Sequence, residues 1–169
     1  MKLKRITIHN IASIADAEID FVASPLADTP LFLIAGPTGA GKSIILDSVC
    51  LALYARAPRL TRFKTDEKYE DLTLVGVEKE KKRNVGVDAN RQLMRRATGE
   101  CFARLLFEGN DGNDYEAQWH LHRSRNKATG NFQEEERTLT LLKTGETWTK
   151  KADFEGKVQE VVGMKYELF

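Results

Sequence analysis

The chain has 169 residues, 41% hydrophobic and 30% charged, with 26 Lys+Arg against 25 Asp+Glu for a formal net charge of +1. This composition excludes a disordered polymer, and the charge balance excludes a surface that is basic all over for nucleic acid, although local basic patches remain open. The longest uninterrupted apolar run, Val49 to Ala55, is too short to span a bilayer, no signal-peptide core follows the basic start Met1–Arg5, and two cysteines, Cys50 and Cys101, suit a reducing cytosol better than a disulfide framework.

Arg5 to His9 alternates polar and apolar residues, as a half-buried strand does. Ala17 to Phe21 alternates again, with Ala17, Ile19 and Phe21 predicted to face inward. A loop with two prolines, Ser24 to Pro30, leads to Leu31–Ala35, which is apolar at every position and predicts a strand buried on both faces. A glycine-rich segment, 36–43, follows, and then a helix ending near Arg56 with Ile45, Leu46, Val49 and Leu53 on its apolar face. Residues 59–100 are polar and include the charge run Lys79–Arg83, so they predict a long surface excursion that includes short helical pieces.

The second half alternates cleanly. Cys101, Ala103, Leu105 and Phe107 share one face, and Tyr115, Ala117, Trp119 and Leu121 share another, with a hairpin turn at Asn110–Asn113 between them. A third strand is predicted over Glu136–Lys143 and a short fourth around Trp148, giving an antiparallel meander over 101–149. A last helix is predicted over 152–163, with Phe154, Val158, Val161 and Val162 on one face and Gly163 as its stop. The apolar end, Leu168–Phe169, predicts a chain cut from something longer; a docked last strand is the alternative.

Gly36-Pro37-Thr38-Gly39-Ala40-Gly41-Lys42-Ser43 fits the phosphate-loop pattern G-x-x-x-x-G-K-[ST]. Phosphate has many acceptor oxygens, and a glycine-rich backbone can wrap it where side chains would crowd. The helix start adds free N–H groups and the positive end of its dipole. Lys42 adds a point charge for the β- and γ-phosphates, and the Ser43 hydroxyl is the candidate Mg²⁺ ligand. Nucleotide binding is the reading, with ATP and Mg²⁺ as cofactors.

Other candidates are weaker. His9, His120 and His122 could suggest a metal site, but His120 and His122 alternate on the polar face of a strand with no Cys or acidic partner at ligand spacing, so a solvated sheet face is preferred. Arg59, Arg62 and Lys64, and Arg123, Arg125 and Lys127, could touch a nucleic-acid backbone, or could be solvated loop and strand edge.

Beyond the loop, Leu31–Ser43 running into Ile45-Leu46-Asp47 and Cys50–Tyr54 resembles the start of the SbcC-type ABC ATPases, the ATPase subunits of bacterial SbcCD nuclease complexes. Asn10–Ile14, Ile19-Asp20-Phe21, Pro58-Arg59-Leu60, Leu93–Cys101 and Gly130–Gln133 carry the resemblance along nearly the whole chain, with Met94-Arg95-Arg96 and Cys101 its most specific part. The resemblance implies a mixed α/β P-loop NTPase fold: the N-terminal lobe of an ABC-ATPase head with an antiparallel β-meander subdomain. It implies a head split by a long coiled coil, whose C-terminal half carries the acidic metal-binding strand and the signature loop.

The resemblance further implies that the fragment alone is inactive. Lys42 would stabilise phosphate charge and Ser43 hold Mg²⁺, while Gly36, Pro37, Thr38, Gly39, Ala40, Gly41, Lys42, Ser43 and Ile44 contact the nucleotide. The backbone near Met94, Arg95 and Arg96 would lie beside the adenine, with Asn10 and Ser13 nearby. Ile44 stands where the family generally has a second hydroxyl residue. Implied partners are the C-terminal half-head, a second head joined in an ATP-dependent dimer, an SbcD-type nuclease subunit and double-stranded DNA, in a bacterial cytoplasm near the nucleoid, with no membrane. Alternatives are a chromosome-organising or DNA-clamping ATPase head and a small-molecule kinase.

Overall fold

The structure, a computed structural model, describes residues 1–27, 31, 33–61, 68–70, 84–86, 90–164 and 166. Arg62, Lys64, the Lys79–Arg83 run and Leu168–Phe169 lie outside the described residues.

The alternating segments form strands because one face of each has apolar surface to bury. In chain order these are β1 (Lys2–Ile11), β2 (Ile14–Asp20), β3 (Lys68–Glu70), β4 (Asn84–Gly86), β5 (Glu100–Glu108), β6 (Asp114–His122), β7 (Glu136–Leu141) and β8 (Thr147–Trp148). The helices are α1 (Lys42–Tyr54), α2 (Pro58–Thr61) and α3 (Lys151–Val162). Six strands pair in the order β2-β1-β5-β6-β7-β8, every pair antiparallel, and β3 and β4 form a separate antiparallel pair.

Register builds the core. Ile6 pairs with Leu105 and Ile8 with Ala103; Ala103 pairs with Trp119, and Leu105 with Ala117. All six are buried on one face, where α1 packs against β5 and β6, and α3 against β7 and β8. The other face carries Arg104, Gln118, His120 and Thr138 and stays partly solvated. The hairpin turn forms as its residues predict: Gly112 takes φ +77°, and the Asp111 carboxylate accepts hydrogen bonds from the Asn113 backbone N–H (3.2 Å) and the Tyr115 hydroxyl (2.8 Å). α3 ends at Gly163, whose N–H closes on the Gln159 carbonyl at 3.0 Å.

Two expectations are corrected. Leu31–Ala35 forms no strand among its described residues, and Leu31 and Leu33 are 85% and 89% exposed. A run that is apolar on both faces becomes a strand only when neighbours take its hydrogen bonds and cover both sides. The six-stranded sheet pairs from β2 to β8 without it, and no described strand pairs with it. The predicted face of α1 holds only in part. Leu53 is buried and Ile45 and Val49 pack half-buried against the core, but Leu46 is exposed, and Ile44, Ser48, Leu51 and Ala52 join the buried side. The helix is apolar nearly all round, so sequence periodicity does not choose its core face.

Both cysteines lie in the core, Cys50 on α1 and Cys101 on β5. Burial, with the Asp47 carboxylate adding to it, pushes the Cys50 thiol up to about 11. Burial pushes Cys101 higher still, reinforced by Glu135. A thiol at about 11 is roughly one part in a thousand thiolate at pH 8, and the thiolate is the reactive form. Intact-mass measurement after iodoacetamide at pH 8 is expected to find neither cysteine alkylated in the folded chain and both alkylated in denaturant. Among the described residues, no helix is long and apolar enough to cross a membrane.

Candidate functional site

The phosphate loop occupies the entry to α1. Gly39 (φ +84°) and Gly41 (φ +90°) hold the left-handed backbone that lets the loop turn back before the helix begins, a conformation open to glycine at little cost. Gly41 is also a close approach: a Cβ there would stand 3.3 Å from Ser13 Oγ and 3.6 Å from Ile14 Cγ1. Gly36 to Ala40 are exposed, and Lys42 and Ser43 remain accessible to solvent. The first turn of α1 carries no acidic residue, so the positive helix end is left uncompensated by its own side chains. The Lys42 ammonium donates to the carbonyls of Gly36 (2.7 Å) and Pro37 (2.8 Å), which curls the loop around its own cation. The Ala40 N–H reaches the Pro37 carbonyl at 3.2 Å.

Ile44 is buried in the core, so its side chain faces away from the loop, and its N–H donates to the Gly41 carbonyl at 3.0 Å. Only its backbone is oriented toward the loop.

The segments singled out on the adenine side meet at the loop. The turn between β1 and β2 is sewn to residues 93–95. The Ala12 N–H donates to the Leu93 carbonyl (2.6 Å), Ile11 bridges Met94, and the Arg95 N–H donates to the Asn10 carbonyl (2.8 Å). The Arg95 guanidinium adds a bond to the Ser13 carbonyl at 2.8 Å. The loop at Gly41, the Asn10–Ser13 turn and the Met94–Arg95 strap therefore form one contiguous edge. Their side chains differ in availability. Met94 is buried, Asn10 Nδ2 contacts His9 Nε2 (2.7 Å) and donates to the Glu100 carbonyl (3.2 Å), and Arg96 and Ser13 are exposed.

The basic candidates separate too. Arg123 is fully buried, with its guanidinium 3.8 Å from the Phe132 ring centre and donating to the Gly130 carbonyl at 2.9 Å, which makes it a core strut. Arg59 pairs with the buried Asp47 across the end of α1. Arg125 and Lys127 are exposed.

Three polar ties span distant parts of the chain, and the partners in each went unseen in the sequence. Glu135 accepts from Trp119 Nε1 and from Asn90 Nδ2, both at 2.9 Å, and Asn90 Nδ2 also donates to the Ala55 carbonyl at 2.8 Å, where α1 ends. Asp47, Arg95 and this Glu135–Asn90 tie all join residues far apart in the chain, which local pattern does not reveal.

A glycine-rich loop that ends in Lys42-Ser43 at the start of a helix packed on a sheet defines a P-loop protein. The chain belongs to the AAA domain family, whose defining pattern matches residues 5–162. It is similar to the SbcC subunit of the SbcCD nuclease of Pseudomonas aeruginosa, 36% identical over 172 residues that cover 100% of this chain and 14% of that protein. It is likewise similar to the SbcC subunit of the SbcCD nuclease of Rhodobacter capsulatus, 37% identical over 171 residues, 100% of this chain and 13% of that one. A shorter likeness, 42% over 60 residues, links 36% of the chain to 6% of the DNA double-strand break repair Rad50 ATPase of Archaeoglobus fulgidus. The chain is thus a homologue of the SbcC subunits of SbcCD nucleases, and it spans about one-seventh of the length of the two that it matches from end to end.

Proposed function

We propose that the chain is the nucleotide-binding lobe of an ABC-type ATPase head that serves a DNA end-processing nuclease in repair and recombination. The observation that carries the reading is the loop itself, exposed and glycine-wound at an uncompensated helix start, within a chain similar along its whole length to SbcC.

The residues fit ATP and Mg²⁺. The loop is held in a tight curl by a lysine ammonium, and an anion entering it would compete with the Gly36 and Pro37 carbonyls for that charge. Loop N–H groups and Lys42 would hold the phosphates, and the accessible Ser43 hydroxyl would hold Mg²⁺. The backbone at Asn10–Ser13 and Met94–Arg96 would flank the base. Bound ATP with its metal supplies the phosphoanhydride and neutralises its charge; this chain's part is to bind and orient it.

The exposed Leu31, Leu33 and Leu46 favour a further segment that covers the entry to α1, which suits a C-terminal half-head carrying the remaining catalytic groups. Two such heads would close on nucleotide and reposition an SbcD-type nuclease on double-stranded DNA, in a bacterial cytoplasm. A small-molecule kinase is disfavoured by the antiparallel six-stranded sheet, since such enzymes alternate strands and helices about a parallel one. The chain alone is expected to bind ATP without sustained turnover in a phosphate-release assay. Added C-terminal half-head is expected to bring turnover and an ATP-dependent dimer by light scattering. Lys42-dependent turnover by the chain alone would defeat the split site, and a monomer at saturating ATP would defeat the two-head arrangement.

A further inference from the structure

The face of the sheet opposite α1 and α3 holds a cluster that the nucleotide reading does not use. His120 and His122 sit two residues apart on β6 and so point to the same side, their rings stacked with centroids 5.2 Å apart and planes 15° apart. Antiparallel register supplies the acids that the local sequence lacks. Glu136 on β7 stands opposite His120, and Glu100 on β5 stands opposite His122. His120 Nδ1 lies 3.0 Å from Glu136 and His120 Nε2 lies 3.4 Å from Glu100. One ligand atom from each of His120, His122 and Glu136 lies within 4.8 Å of the other two.

We propose that His120, His122 and Glu136 bind one divalent transition-metal ion of the zinc class. Two imidazoles and one carboxylate are a nitrogen-rich set that suits zinc; calcium and magnesium prefer oxygen throughout. Donors on one tetrahedral zinc, at bond lengths near 2.1 Å, stand about 3.4 Å apart. The observed spread of 4.8 Å closes by side-chain rotation, since Glu136 is exposed and both histidines are partly so.

Two features of the polar network favour a cation here. The Nδ1 of His122 is buried with no hydrogen-bond partner, a state that folded chains generally avoid. His120 faces a carboxylate at each nitrogen, but a neutral imidazole has a single N–H and satisfies only one of them. A metal ion at one nitrogen resolves this, and Glu100 at the other becomes the orienting carboxylate behind a ligating histidine. Glu100 is itself held by Asn126 Nδ2 at 3.2 Å. The ion would clip β7 to β6 at the open side of the meander, leaving a coordination position toward solvent.

The test uses the untagged, metal-stripped chain. Calorimetric titration with ZnCl₂ is expected to give one equivalent per chain, with a rise in melting temperature because the folded state alone assembles the ligands. CoCl₂ is expected to give the visible bands of tetrahedral nitrogen and oxygen ligation without a thiolate charge-transfer band, as both cysteines are buried. His122→Ala and Glu136→Gln should each weaken zinc at least about tenfold, and Glu100→Gln about 10- to 100-fold with stoichiometry kept. His9→Gln removes a neighbouring histidine paired with Asp16 and should change nothing. Glu136 is exposed, so its variant reads out binding even if His122→Ala fails to fold. Absence of saturable zinc binding, or equal affinity in Glu136→Gln and the parent, would overturn the site.

Discussion

Lys42→Ala is expected to weaken ATP binding by about 10- to 150-fold while the melting temperature barely moves. A charge-assisted hydrogen bond contributes about 1.5–3 kcal/mol, which converts to that range. The ammonium bonds to two carbonyls of its own exposed loop and to nothing in the core, so its removal frees the loop without opening a cavity. Lys42→Arg should restore binding only in part, because a planar guanidinium does not replace a compact charge inside a curl this tight. Ser43→Ala should behave differently. Its hydroxyl is accessible and assigned to the metal, so the loss should appear with Mg²⁺ and vanish in EDTA. Fluorescent-nucleotide titrations in both conditions separate the roles. Equal losses for Ser43→Ala with and without metal would remove the Mg²⁺ assignment, and an unchanged Lys42→Ala would remove the phosphate site itself.

What the sequence reveals divides along a physical line between local and distant causes. The alternation in β5 and β6 is a period-2 burial signal, and every inward residue from Cys101 to Leu121 is buried as read. The turn at Asp111-Gly112 and the stop at Gly163 are equally local, because they depend on which residues tolerate positive φ. The loop at 36–43 was legible for the same reason: its chemistry is written in eight consecutive residues. The failures depend on neighbours. Leu31–Ala35 has the composition of a buried strand, but a strand also needs partners at its edges. The core face of α1 is chosen by β5 and β6 against an almost uniformly apolar helix. Arg123 reads as a surface base until Phe132 and Gly130 are seen to enclose it. That Glu136 and Glu100 flank His120 and His122 is hidden for the same reason, because these acids are 16 and 22 residues away along the chain and adjacent only across strands (Glu136 from His120, Glu100 from His122).

Trp119→Ala is expected to be the most damaging single truncation for stability, at about 3–5 kcal/mol. Trp119 is fully buried at the centre of the sheet, in register with Ala103 on one side and Arg137 on the other. Alanine there would face the alanine of β5 across an empty volume, and neither strand can close it without breaking the ladder. In a chain of this size about 1 kcal/mol moves the melting temperature by roughly 2–4 °C, so a fall of roughly 6–20 °C follows. Part of the loss is polar. Trp119 Nε1 donates to Glu135, which also receives Asn90, and Asn90 ties to the Ala55 carbonyl at the end of α1. Trp119→Phe keeps most of the volume and removes only that donor, so it should cost less, about 1–3 kcal/mol. Combined with Glu135→Ala the two losses should not add, because the second removes an acceptor whose indole donor the first has already taken away. The tie reaches the far end of α1 from Lys42, so folded Trp119→Phe should bind ATP as the parent does. Thermal melts of the single and double variants decide it. A Trp119→Ala chain melting with the parent would mean that this sheet does not carry the core, and strict additivity would mean that Glu135 does not couple the meander to the nucleotide helix.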